Sequence, residues 1–249
     1  KIWWSCLIGI CVLNIFIFLK QQKHNDNGTS RLLTALYLGG CVFRSIFMSD
    51  THGRICYFDS VFCLPIVNRT VAAIAEVSFG ILGAICVANL FFPSSQVNKD
   101  WKNRFIWTFS MCSVLSNISS HIGVISGHTE YFVIEECGWL IYSSSLAMAS
   151  LLSVFIGNTA ILPALFSTMA YLSWALYLAW VDIPMYVGHL MNSPDANITS
   201  AFQCARISSS FDQDWADTWL WQTLYFTFGP MFACFLVALT HPHQKKKRK

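Results

Sequence analysis

The sequence predicts an all-α bundle that crosses a membrane about seven times, on three observations. The 249 residues are 55% hydrophobic and only 12% charged, where an ordinary soluble domain carries roughly 25% charged residues. Several apolar runs reach the roughly 17 to 25 residues that a helix needs to cross the hydrocarbon. The polar segments between those runs carry lysine and arginine unevenly, as membrane topology requires. Backbone inside lipid must satisfy its own hydrogen bonds, so the apolar runs read as helices.

Taken in order, the first span covers Ile2 to Leu19 and stops at Lys20. No small-residue cleavage site follows it, so it reads as a retained helix. The second covers Leu32 to Met48 with Arg44 near its far end, and the third Ile66 to Phe92 with Arg69 and Glu76 inside. The fourth, Phe105 to Ile125, is rich in serine and holds Asn117, a composition of close helix packing or of a hydrated wall. The fifth, Phe132 to Ile156, has Glu135 and Glu136 in its first turn. After the turn Gly157 to Thr159, the sixth runs to Val181. Asp182 to Thr218, with Pro194, several serines and acids and no lysine, reads as a long extramembrane loop, and Pro184 near its start reads as helix-ending. The seventh, Trp219 to Leu239, contains Gly229 and Pro230, a kink signal. Residues 1–244 thus form a single transmembrane domain, with a basic tail at 245–249.

The basic residues set the orientation. With seven spans, one side receives Lys20, Lys23, Arg31, Lys99, Lys102, Arg104 and the tail, while the other receives little beyond Lys1, Arg54 and Arg206. The reading is an N-terminus that is luminal or extracellular and a cytosolic C-terminus. Lys246 to Lys249 contain the paired lysines of a dilysine retrieval signal, which points to the secretory pathway and its endoplasmic reticulum; an organellar membrane is also consistent with the composition. Four sequons occur. Asn27 falls on the cytosolic side, Asn117 inside a helix and Asn68 at the membrane boundary, which leaves Asn197, in the long loop, as the expected glycosylation site.

The net charge of +3 comes largely from the tail, so no basic face exists for nucleic acid. Ten cysteines are present without CxxC spacing. Cys56, Cys63 and Cys204 lie in or beside connecting segments, so any disulfide should join two of these three. Trp215, Trp219 and Trp221 read as an interfacial aromatic belt. No lysine lies between Lys102 and Lys245, which excludes a retinal Schiff base, and no hydrolase, metalloprotease or nucleotide-binding motif is present.

An ionisable side chain at the bilayer centre costs at least about 2.5 to 3.5 kcal/mol, so each needs a partner, water or a task. Arg69 and Glu76 are seven residues apart on one helical face. Under the predicted topology, Arg44, His121, Glu135, Glu136 and Asp182 fall at the same membrane side. These seven residues form the expected intramembrane polar cluster. His121 and His128 with Glu135 or Glu136 supply metal-ligand types, but their spacing matches no standard motif and no metal is assigned; no cofactor is assigned either. The leading functional expectation is a luminal-side polar cavity that binds or moves a small solute, ion or lipid headgroup. A membrane-embedded enzyme acting on a lipid or lipid-linked substrate is the first alternative, and a structural or assembly subunit with other membrane subunits as partners is the second.

Overall fold

The computed structural model describes residues 2–22, 28–50, 53–92, 99–156, 161–192, 201–211, 215 and 219–240. The expectations for Asn27, for Asn197 and for the basic tail fall outside these residues. The chain folds into α1 (Ile2–Gln22), α2 (Gly28–Ile46), β1 (Ser49–Asp50), β2 (Ile55–Cys56), a 3-10 turn (Val61–Cys63), α3 (Pro65–Phe91), α4 (Lys99–Ser126), α5 (Glu130–Phe155), α6 (Ile161–Tyr177), a π-helical turn (Leu178–Asp182), α7 (Ile183–Asn192), β3 (Arg206–Ile207) and α8 (Trp219–Thr240). Four helical stretches are long and apolar enough to cross a membrane: Ile2–Lys20, Pro65–Phe91, Glu130–Phe155 and Ile161–Met191.

The helix ends follow from local chemistry. Pro65 opens α3, where its missing N–H is one of the unpaired first-turn donors in any case. Gly127, at φ 79°, takes the left-handed conformation just beyond α4, and its N–H closes on the Gly123 carbonyl. Thr129 then starts α5, its carbonyl accepting from the N–H groups of Phe132 and Val133. Proline inside α8, at Pro230, does not interrupt the helix.

α3 is the hub of the bundle. It packs on α2, α4, α5 and α8, and its residues Ala72, Ala75, Leu82, Ala84, Cys86, Val87 and Ala88 are fully buried. Outer helices show the reverse of soluble-protein patterning. On α4 the inward face is Ser110, Ser113, Ser116, Asn117 and Ser120, whereas Trp107, Met111, Leu115, Ile118, Ile122 and Ile125 are exposed at helical spacing. Trp107 and Leu115 stand 68% and 64% exposed, so this face requires an apolar medium, and α6 presents the same kind of face through Leu162, Leu165, Met169 and Leu172. The chain is therefore membrane-embedded, its outward surface meeting lipid.

Small residues set the inter-helix distances, because lipid tails supply no hydrophobic drive between helices and close contact must do so. A Cβ added to Gly80 would fall 2.5 Å from Ser113, and one added to Gly138 would collide with the Ser116 hydroxyl. The serines of α4 thus fill notches in α3 and α5, which is the close-packing reading of its composition. At Gly40 a Cβ would stand 2.5 Å from the Ala75 Cβ and 3.3 Å from the Val71 carbonyl oxygen. The expected result for Gly40→Ala is a loss of about 1–3 kcal/mol from overpacking of α2 on α3, read by detergent-denaturation of the purified protein. Adding Ala75→Gly should recover most of that loss, since the collision is between two methyl groups.

A cap covers one end of the bundle. β1 pairs antiparallel with β2, and β2 pairs parallel with β3, which arrives from late in the chain. The Cys56–Cys204 disulfide, 148 residues apart in sequence, fixes this arrangement, so the pair is drawn from the expected three and Cys63 stays free and buried. Backbone bonds extend the seam: Ala205 N–H to the Arg54 carbonyl, Ser208 N–H to that of Cys56, and Ile66 N–H to that of Ala201. The three two-residue strands build a small sheet within a mostly helical chain. Two sequence readings are corrected here. Trp215 does not join a lipid-facing belt: it is fully buried, donates to the Ser208 carbonyl at 3.0 Å and packs against Trp3 and Tyr57. The sixth helix does not stop before Asp182: the π-helical turn carries it into α7 as far as Asn192, with Pro184 just after that turn. The long connecting segment accordingly starts a turn or more later than Asp182.

Candidate functional site

The polar cluster is assembled from five helices at the cap end of the bundle. Arg44 lies in the last turn of α2, Arg69 in the second turn of α3 and Glu135 in the second turn of α5, while Glu76 is two turns deeper along α3. All four are buried, with Glu76 only 8% exposed.

Their contacts form one continuous network. A single nitrogen of Arg69, Nη2, donates to Glu135 Oε1 at 2.7 Å, to Glu76 Oε2 at 2.8 Å and to Asn117 Oδ1. The other Glu76 oxygen accepts from the Tyr225 hydroxyl at 2.9 Å and from Arg44 Nη1 at 3.4 Å. Arg44 Nε donates to Asn68 Oδ1 at 3.0 Å, and its guanidinium rests over the rings of Tyr225 and Phe226 at 5.1 and 5.4 Å. Asn68 in turn donates to the Phe47 carbonyl just past the end of α2, and Asn117 to the Ser113 carbonyl. Arg69 Nε is buried with no hydrogen-bond partner.

The quartet balances: two guanidinium groups meet two carboxylates, and the low dielectric strengthens each contact as it raises the cost of breaking one. Arginine suits such a position because its planar, weakly hydrated fork bonds several oxygens while stacking on aromatic faces.

Two further acids stand beside the quartet. Asp182, 3% exposed, ends the π-helical turn with the Tyr177 hydroxyl as its neighbour five residues back, the separation that an i→i+5 turn superposes. Glu136, half-buried on α5, lies within electrostatic reach of Glu135, Asp182 and Glu76. Tyr186 of α7 stacks on Phe132 of α5 at 5.6 Å and lies within electrostatic reach of Glu136, Glu135 and Asp182. Among the described residues neither Glu136 nor Asp182 forms an ion pair.

Of the seven residues expected in the cluster, Arg44, Arg69, Glu76 and Glu135 touch one another, and Glu136 and Asp182 adjoin them. His121 does not take part: half-buried, its Nδ1 lies 3.0 Å from the Asn117 carbonyl of its own helix. His128 is at the surface, paired with Glu130 at 3.3 Å. Among the described residues, no three His, Cys, Asp or Glu side chains gather as metal ligands would. Asn68, Asn117, Tyr225 and Phe226 belong to the network and were not assigned to it from sequence. The two asparagines stand out in sequence as glycosylation motifs, yet both amides are buried and hydrogen-bonded; the usable signal was a carboxamide within a turn or two of an intramembrane charge. Comparison with protein-family models, curated proteins and solved structures finds no match to this chain.

Proposed function

We propose that this chain is a seven-span membrane protein, with its cap on the luminal or extracellular side, whose polar core takes up a proton or small cation at Glu136 and Asp182. The observation that carries this reading is the charge balance: Arg44 and Arg69 are paired with Glu76 and Glu135, which leaves the two neighbouring acids, among the described residues, with no ion pair of their own and only the already committed Arg69 within electrostatic reach of Glu136. An uncompensated carboxylate in a low-dielectric bundle is costly, and a positive charge from outside the chain removes that cost. In this reading the quartet is a neutral frame holding α2, α3 and α5 in place, and the acid pair is the exchangeable part. The π-helical turn supports it, since single π turns within α-helices are frequent at functional sites.

Reconstitution into liposomes with an internal pH-sensitive dye tests the proposal. An imposed proton or monovalent-cation gradient should collapse faster through wild type than through empty liposomes, and the Glu136→Gln, Asp182→Asn double variant should slow this by about tenfold or more, the loss of roughly 1.4 kcal/mol of stabilisation. Unchanged flux in the double variant, or none in wild type, removes the reading.

A second reading, that of an assembly subunit, is favoured by the sealed and self-neutralised quartet. It expects no flux from wild type, together with loss of co-purifying membrane partners when Arg69 or Glu76 is replaced.

A further inference from the structure

The cap contains a second electrostatic anomaly, separate from the polar core. Arg54 sits in the turn between β1 and β2 at φ 53°, the one left-handed residue other than glycine among those described. A left-handed arginine is strained, and such strain persists where the surroundings impose it. Its neighbours do impose it: the Arg54 carbonyl is held by the Ala205 N–H, and Cys56, two residues on, is tied to Cys204.

The side chain is 7% exposed, and its Nη1 is sealed with no hydrogen-bond partner. Burial pushes the guanidinium below its ordinary pKa. The nearest acid on its own hairpin, Asp50, is turned toward Gly53. Two more buried polar atoms in the same cap are without partners: the Ser49 hydroxyl, on β1 opposite Cys56, and the indole N–H of Trp4, whose ring stacks on Tyr57 at 5.8 Å. Guanidinium and indole groups only donate, and a hydroxyl can donate, so what these three groups lack among the described residues is an acceptor.

We propose that the cap binds a phosphate group at Arg54, with Ser49 and Trp4 as supporting donors. A guanidinium fork matches phosphate oxygens, and a charge-assisted bond in a buried site is among the stronger polar contacts. Trp4 belongs to the first turn of a membrane-crossing stretch, which places the site near the level of lipid headgroups. The phosphate therefore comes either from a phospholipid headgroup or from a free phosphate compound on the cap side.

Thermal unfolding of the purified full chain in phospholipid-free maltoside micelles distinguishes the two sources. One arm titrates inorganic phosphate at constant ionic strength; the other titrates an anionic phospholipid. A rise in unfolding temperature with inorganic phosphate identifies a free-phosphate site, and a rise with phospholipid alone identifies a headgroup site. In either case Arg54→Gln should abolish the rise, and Arg54→Lys, which keeps the charge and loses the fork, should weaken apparent affinity by about tenfold, one charge-assisted bond. Arg54→Gly relieves the left-handed strain, so it should fold and still show no response, which separates loss of binding from loss of structure. No response of wild type in either arm, or an undiminished response in Arg54→Gln and Arg54→Gly, overturns the proposal.

Discussion

Arg69→Met is expected to cost about 3–5 kcal/mol of stability, the range seen when one partner of a buried ion pair is removed. Most of this is the penalty on what stays behind. Glu76 keeps Arg44 and the Tyr225 hydroxyl, but Glu135 loses its one bonded cation among the described residues. Adding Glu135→Gln should therefore restore part of the loss, with a coupling of about 0.5–3 kcal/mol. Arg44→Met should be milder, because its contact with Glu76 is longer at 3.4 Å and its place between Tyr225 and Phe226 accepts a thioether. Denaturation in mixed detergent micelles, followed by circular dichroism, checks all three. Wild-type stability in Arg69→Met would mean that the network contributes nothing to holding the helices.

The second large effect is expected at the disulfide. Replacing Cys56 and Cys204 together with serine should cost about 2–5 kcal/mol. The lower half of that range is expected, since membrane helices persist in the unfolded state and the released chain gains less freedom than a soluble one. Reductant should lower wild-type stability by the same amount and leave the double variant unchanged. Replacing both cysteines matters, because Cys63 lies close by, its carbonyl oxygen 3.1 Å from the Cys56 sulphur, and a lone Cys56 would have a new partner within reach. Digestion between residues 204 and 219 should also accelerate, as β3 loses its covalent anchor to β2.

Composition alone carried the membrane class and the helical character of the chain, since apolar length is a one-dimensional property. It also carried the gathering of charges at one end, because alternating spans assign ends without any knowledge of rotation. What each charge touches depends on the rotation and neighbours of its helix, which the sequence does not record. Hence Glu135 and Glu136, adjacent in sequence, have different fates: one is bonded to Arg69, the other stands beside Asp182. His121 illustrates the converse, a residue at the right depth whose ring folds back on its own helix. The Asp182 boundary failed for a local reason. Proline forbids helix continuation only where the preceding carbonyls need its N–H, and a π-helical turn ahead of Pro184 relaxes that need.

That turn has a wider consequence for the molecule. Slipping the screw by one residue rotates everything beyond it by about 100° relative to a regular α-helix. Without the slip, the side of α7 that carries Tyr186 would look elsewhere, and the ring now stacked on Phe132 would leave the carboxylates it faces. The orientation of the last turns before the cap is thus decided by a phase error of one step, and the acid pair and its tyrosine roof are brought into register by the same irregularity.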